Sequence, residues 1–122
     1  MATNLTITME DRAGMLAQLG EALGAAGINI DGGCAVTSGG EGWVHILVED
    51  AATARAALEG AGLSVSDERE VVVVDAENRA GELGATARKF AEAGVNVGLF
   101  YVSAGMKLVF GVDDAEKARS AL

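Results

Sequence analysis

Two short turns combine a polar side chain, an arginine and a glycine immediately before a helical pattern. They are Asp11-Arg12-Ala13-Gly14, which leads into Met15, and Asn78-Arg79-Ala80-Gly81, which leads into Glu82 and Leu83. A glycine beside a helix N-terminus lets a ligand approach the backbone closely, and the unpaired N–H groups there attract an anion. The carboxylate or amide that opens each turn can pair with a cation. The turns are therefore suited to a small ligand that carries both charges.

An asparagine follows each turn at the same distance along the chain. Asn29 lies in Gly27-Ile28-Asn29-Ile30, and Asn96 lies in Gly94-Val95-Asn96-Val97. An asparagine amide both donates and accepts, so Asn78 and Asn96 together could hold the carboxylate and the ammonium of a free amino acid. In the first copy Asp11 would pair with the ammonium, with Asn29 alongside. We expect the second copy to bind better, because Asp11 adds a negative charge near the ligand carboxylate.

A purely structural role would explain the same residues. Asp11 and Asn78 are residue types that cap helices, and the two glycines would then only permit the turns. Asn29 and Asn96 would bond to local backbone. We favour ligand binding in at least one copy.

The turns belong to two copies of one sequence pattern. Residues 11–30 match residues 78–97 at a spacing of 67, and residues 48–58 match residues 112–122 at a spacing of 64. The second copy is therefore three residues shorter between its second and third strands, where a loop tolerates the change. The second copy also lacks the final strand that the first forms near Leu63. We predict two repeats, residues 1–66 and residues 67–122.

Hydrophobic periodicity predicts the order β-α-β-β-α-β. The first helix should bury Leu16, Leu19, Leu23 and Ala26, and its counterpart should bury Leu83, Ala87 and Phe90. Strands are expected from Ile28 and from Val95, and residues 67–70 are expected to be a solvated link. Right-handed crossovers then give antiparallel sheets with helices on one face. The predicted fold class is α+β, a ferredoxin-like βαββαβ sandwich built twice.

Composition narrows the class of protein. Half of the residues are hydrophobic, which excludes a disordered chain. The formal net charge of −9 disfavours nucleic acid and anionic membrane surfaces as partners. No apolar run reaches the length of a membrane span and no secretory leader opens the chain, so we expect a cytoplasmic protein. Cys34 and His45 have no neighbouring ligands in the sequence, so we predict neither a metal nor another cofactor.

The two turn-helix-strand units resemble ACT domains, small regulatory modules that bind amino acids and control metabolic enzymes. The family pattern is an acidic or amide residue, a basic residue, often proline, then glycine and an aliphatic residue, followed by a helix and Gly-Val-Asn-Ile. It recurs here at Asp11 to Leu16 with residues 27–30, and at Asn78 to Leu83 with residues 94–97. Alanine replaces the usual proline in both turns. The first turn carries aspartate where the second has the amide more typical of serine-binding members.

The resemblance implies a non-catalytic sensor that binds a small amino acid and signals to a metabolic enzyme. Two alternatives remain at this point: a small ferredoxin-like isomerase or lyase with Asp11 or Glu82 as base, and a structural interaction module without ligand. We also expect a homodimer, because a missing final strand leaves a sheet edge unpaired unless Ser64–Glu70 fills it. The valine run from Val71 predicts burial on both faces of its strand, and hence that the copies cannot be separated.

Overall fold

The chain forms two compact units in a computed structural model that describes residues 2–122. The first unit is Thr3–Arg69, and the second is residues 70–122 together with Ala2. No helix among the described residues is long and apolar enough to cross a membrane.

The first unit has the complete βαββαβ order of a ferredoxin-like fold. Its elements are β1 (Thr3–Glu10), α1 (Met15–Ala25), β2 (Gly32–Ser38), β3 (Glu41–Val48), α2 (Ala51–Gly60) and β4 (Ser64–Glu70). The strands lie in the order β4-β1-β3-β2, and β3 pairs antiparallel with both β1 and β2. Both helices pack on one face of this sheet. The core consists of buried aliphatic side chains from both layers: Leu5, Ile7, Leu19, Leu23, Val44, Ile46, Val48, Ala54, Leu58 and Leu63.

The second unit repeats the order without a final strand. Its elements are β5 (Val72–Asp75), α3 (Glu82–Glu92), β6 (Val97–Ser103), β7 (Lys107–Val112) and α4 (Ala115–Ala121). The strands of this unit lie in the order β6-β7-β5, with antiparallel pairing on both sides of β7. Phe90 and Phe110 meet edge to face at the centre of its core, with ring centroids 5.0 Å apart. Such aromatic pairs contribute packing specificity beyond the area that they bury.

The helices begin and end where local chemistry dictates. Asp50 and Asp114 cap α2 and α4, because each carboxylate accepts a hydrogen bond from the backbone N–H three residues later. The predicted cap on the last helix is confirmed. The predicted burial of Ala26, Leu16 and Leu83 is wrong: Ala26 is exposed just after α1, and the Leu16 and Leu83 side chains are 63% and 41% exposed at the first turns of α1 and α3. The buried stripe of each helix begins one turn later, at Leu19 and at Thr86.

Three strand boundaries differ from the sequence prediction. β2 and β6 begin at Gly32 and Val97, because ladder pairing starts only after the asparagine of each segment. β4 runs through residues 67–70, so the expected solvated link is wrong. β4 lies beside β1 in the first unit, and it therefore does not fill the position beside β5.

The valine run at the start of the second unit is buried as predicted at its first two residues. Val72 belongs to the helix-side core, whereas Val71 is equally buried outside that core cluster. The Val71 N–H donates to the Ala2 carbonyl, with N and O 3.2 Å apart.

Gly33 is required by a close approach of two backbones. A β-carbon at Gly33 would lie 2.2 Å from the His45 carbonyl oxygen of the neighbouring strand. A side-chain movement cannot relieve this clash, because the carbonyl oxygen belongs to the backbone. By contrast, Gly20 lies inside α1, and a β-carbon there would meet nothing within 4 Å.

His45 projects from the sheet face opposite the helices, because it alternates along β3 with Val44 and Ile46, which belong to the helix-side core. Its Nδ1 lies 3.0 Å from the Thr6 hydroxyl, which also accepts a hydrogen bond from the buried Asn4 amide. Partial burial lowers the pKa of His45, and the positive charge of Arg69 lowers it further, against a smaller opposite effect of Asp67. The imidazole is therefore held neutral in the folded state.

We predict opposite effects of alanine at two glycines. Gly33→Ala should lower the free energy of unfolding by about 1–3 kcal/mol, the usual cost of overpacking. Gly20→Ala should raise it by about 0.5–1 kcal/mol, because alanine is the better helix former. Urea unfolding followed by circular dichroism checks both. Equal stability of the two variants would contradict the close backbone approach at Gly33.

We also predict that His45 makes stability depend on pH. Because its pKa is lower in the folded than in the unfolded chain, the unfolded chain takes up a proton first as the pH falls. Stability should therefore be full above the unfolded pKa of about 6.5 and decline below it. Melting temperatures at pH 7.5 and 5.5 should differ less for His45→Gln than for the wild type. The same difference in both proteins would show that His45 titrates without a shift.

Candidate functional site

The two turns singled out in the sequence have the same backbone conformation. Gly14 and Gly81 directly precede α1 and α3, and each has φ 92°. This left-handed conformation strains any residue with a β-carbon, although there is open space above both glycines. Among the described residues no side chain caps either helix, so the interpretation of Asp11 and Asn78 as caps is wrong. The Met15 N–H donates to the Arg12 carbonyl at 3.4 Å, whereas the next N–H groups, at Leu16 and Ala17 in α1, are available to an anionic ligand.

The arginines of the turns are held by acidic neighbours. Arg12 Nε donates to Glu10 Oε2 at 2.9 Å. Arg79 is bound from two sides, by Glu82 at 2.7 Å and by Glu77 at 3.3 Å. These pairs are exposed and contribute little to stability, but they neutralise the arginine charges locally.

The Asp11 side chain, unlike those of Glu10 and Arg12, is not engaged by a neighbouring charge among the described residues. Its backbone N–H donates to the Gly40 carbonyl at 2.9 Å, which ties the first turn to the β2–β3 hairpin. Within the described chain its carboxylate takes part in no hydrogen bond or ion pair with another side chain. That carboxylate is therefore free to meet a cationic group.

The asparagines lie at the opposite ends of the helices from the turns. Asn29 follows α1 and Asn96 follows α3, and each of these helices has 11 residues. At 1.5 Å per residue, such a helix is about 16 Å long. The head group of one amino acid cannot span that distance, so Asn78 and Asn96 of one unit cannot bind it together, nor can Asp11 and Asn29.

The surroundings of the two asparagines support this separation. Asn29 lines a hollow beside three carboxylates, those of Asp31, Glu49 and Asp50. Asn96 exchanges two hydrogen bonds with Asp113, both through the backbone of Asn96. Its side chain is exposed.

In the first unit the turn opens onto a groove of about 190 Å³ between α1 and the sheet. Charged side chains occupy only one end of the groove, and the other end is apolar apart from Thr37. The lining residues are Met9, Glu10, Asp11, Arg12, Met15, Leu16, Ala35, Val36, Thr37, Gly42 and Val44. Asp11, Arg12 and Met15 of the predicted site are thus brought together here, while Ala13 and Gly14 lie exposed at the turn.

The second unit has a different surface at the matching position. Its hollow is lined by Arg79, Ala80, Gly81, Glu82 and Ala85. Every one of these belongs to the turn or to the first turns of α3, so no strand side chain contributes a wall. Asn78 and Leu83 are exposed outside this lining.

The apolar wall of the groove was not predicted as part of the site. Its strand residues, among them Ala35 and Val44, are distant in sequence from the turn and carry no polar signal. The available signal was Leu16, directly after the predicted site residue Met15, but the helical stripe assigned Leu16 to the core instead.

The comparisons with known proteins agree with this architecture. A family model described as the ACT domain pair matches residues 1–122. No curated protein matches the chain.

Several solved structures share the fold. A crystal structure of a Bacteroides thetaiotaomicron protein is similar with a TM-score of 0.89 at 24% identity, over 98% of this chain and 85% of that chain. The ligand-free regulatory subunit of aspartate kinase from Thermus thermophilus is similar with a TM-score of 0.75 at 22% identity, over 99% and 87% of the two chains. Aspartokinase III from E. coli, crystallised with lysine and aspartate, gives 0.57 at 19% identity, over 98% of this chain and 29% of that chain.

At these identities the likeness to solved structures concerns the fold alone. The family match, by contrast, extends over both repeats and includes both glycine turns. The chain belongs to the family of ACT domain pairs.

Proposed function

We propose that this protein is a non-catalytic regulatory module that binds a free amino acid at the β1–α1 turn of the first unit and signals to a metabolic enzyme. The observation that carries the proposal is the uncapped N-terminus of α1, which lies behind Gly14 and next to the unpaired Asp11 carboxylate. The unpaired N–H groups at the start of α1 complement the carboxylate of an amino acid head group, and the Asp11 carboxylate complements its ammonium.

The ligand carboxylate would lie against the first-turn N–H groups of α1, at Leu16 and Ala17. The ligand ammonium would then face Asp11, on the other side of Gly14. Because Gly14 has no side chain, the ligand can approach the backbone between these two contacts.

The second unit is less suited to the same ligand, contrary to our preference from the sequence. Glu82 occupies the first turn of α3, whereas the first turn of α1 contains no acidic residue. A carboxylate at that position is itself stabilised by the helix N-terminus and repels the carboxylate of a ligand. Asn78 also offers no charge to the ammonium.

The partner enzyme is proposed from the relatives. Two of them are, by their descriptions, a regulatory subunit of aspartate kinase and an aspartokinase bound to lysine and aspartate. We accordingly propose a cytoplasmic enzyme of amino-acid metabolism as the partner here.

An isomerase or lyase receives less support from the geometry. Glu82 is engaged by Arg79, and Asp11 is exposed to solvent, so neither carboxylate lies in the enclosed setting that a general base requires. A module without any ligand would leave the uncapped turn and its free carboxylate without a role.

We predict saturable binding of at least one of the twenty amino acids without turnover, measured by calorimetric titration. Asp11→Ala should weaken that binding roughly 10- to 100-fold, because a charge-assisted hydrogen bond contributes about 1.5–3 kcal/mol. Asn29→Ala, at the far end of α1, is the matched control and should leave affinity unchanged. Absence of binding by every amino acid would contradict the proposal, and equal losses in both variants would misplace the site.

We further propose a homodimer. β5 lies at one edge of the strands of the second unit, and among the described residues Ala2 alone is hydrogen-bonded beside its start. Unpaired strand edges favour association with another strand. Light scattering at micromolar concentrations should give twice the mass of 12.3 kDa. A proline at Val73, where it removes an edge N–H, should shift the mass toward that of one chain. A monomeric wild-type protein would contradict this proposal.

A further inference from the structure

We infer that the ligand of the first unit is an amino acid with an aliphatic or thioether side chain, of the size of leucine or methionine. This inference rests on the proposed function and specifies its ligand class. It is carried by the groove beside the turn, whose far end is built from side chains without charge.

The apolar wall has an exposed rim. Leu16 is 63% exposed, although it lines the groove. Deeper in the groove, Val44 is only 7% exposed and belongs to the core. A ligand side chain laid over Val44 would cover the exposed surface of Leu16, and covering apolar surface is favourable.

The charged residues of the groove disfavour a ligand that has a charged side chain. Glu10 neutralises Arg12, which leaves the Asp11 carboxylate as the unbalanced charge at the turn. An acidic ligand, with a net negative charge, would be repelled there. The carboxylates in the lining, those of Glu10 and Asp11, lie at the turn, so a lysine or arginine side chain laid over Ala35 and Val44 would place its cation beside uncharged side chains.

The volume of the groove limits the size of the ligand side chain. At about 190 Å³ the groove is smaller than the 300–1,000 Å³ of pockets that hold drug-sized ligands. Glycine, alanine and serine would leave its apolar end unfilled. The methionines Met9 and Met15 can adjust to branched or unbranched side chains, because methionine has flexible torsions.

The second unit supplies a matched control position. Leu83 corresponds to Leu16 in the repeat and is likewise the second residue of its helix. It is exposed, yet it does not line the hollow of its unit. Substitution of either leucine by glutamine keeps the side-chain length and a helix-compatible residue while removing the apolar surface.

The test is calorimetric titration of the full chain with leucine, methionine, alanine, serine, lysine and aspartate. Leucine and methionine should bind roughly tenfold or more tightly than alanine, since each buried CH₂ contributes about fourfold in affinity. Leu16→Gln should reduce the leucine-to-alanine affinity ratio severalfold, while Leu83→Gln should leave it unchanged.

The outcomes separate this inference from the proposed function. Tighter binding of serine, lysine or aspartate than of leucine would overturn the ligand class and leave an amino-acid sensor in place. An unchanged ratio in Leu16→Gln would remove the groove from the site. Binding of none of the six amino acids would overturn this inference, whereas the proposed function is overturned only if none of the twenty amino acids binds.

Discussion

A glycine in the left-handed conformation starts the first helix of each unit, and the arrangement of the site depends on it. At φ 92° the chain turns from β1 or β5 into the helix within a few residues. This turn brings no side chain over the helix end. The first-turn amides consequently stay open, which a capping serine or aspartate would have prevented. Identical values at Gly14 and Gly81 show that both repeats keep this geometry.

The two units differ in what surrounds this shared turn. In the first unit the turn is anchored to the β2–β3 hairpin through Asp11 and Gly40, and the sheet provides an apolar wall. In the second unit Arg79 and Glu82 pair across the turn and the strands contribute nothing to the hollow. Divergence after duplication has thus changed the surroundings of the turn while its backbone conformation is kept.

The fold was predictable from the sequence to a large extent. The spacing of the repeats and the helical spacing of Leu19 and Leu23 are local signals, and each led to the correct element. The exposure of Leu16 was not predictable, because helical spacing identifies a stripe but not where the sheet beneath it ends. The extension of β4 through residues 67–70 was missed for a similar reason: charged residues on an edge strand resemble a loop in sequence.

The site was predicted only in part. The turn residues were identified correctly as neighbours, since they are adjacent in the chain. The asparagines were grouped with them on the strength of a repeated motif, but the length of the intervening helix places Asn29 and Asn96 at the other end. The apolar wall depends on the packing of Met15 and Leu16 beside the β2–β3 hairpin, a contact between residues distant in sequence that no local pattern encodes.

The most direct test of this account is an NMR titration of the uniformly ¹⁵N-labelled chain with leucine, following each backbone amide. The account predicts that the amides of Leu16 and Ala17 shift most, together with those of Asp11 and Val36. The amides of Leu83 and Gly84, at the matching helix end of the second unit, should remain in place. Shifts concentrated at Leu83 and Gly84, or around Asn29 and Asn96, would contradict the assignment of the ligand to the first turn.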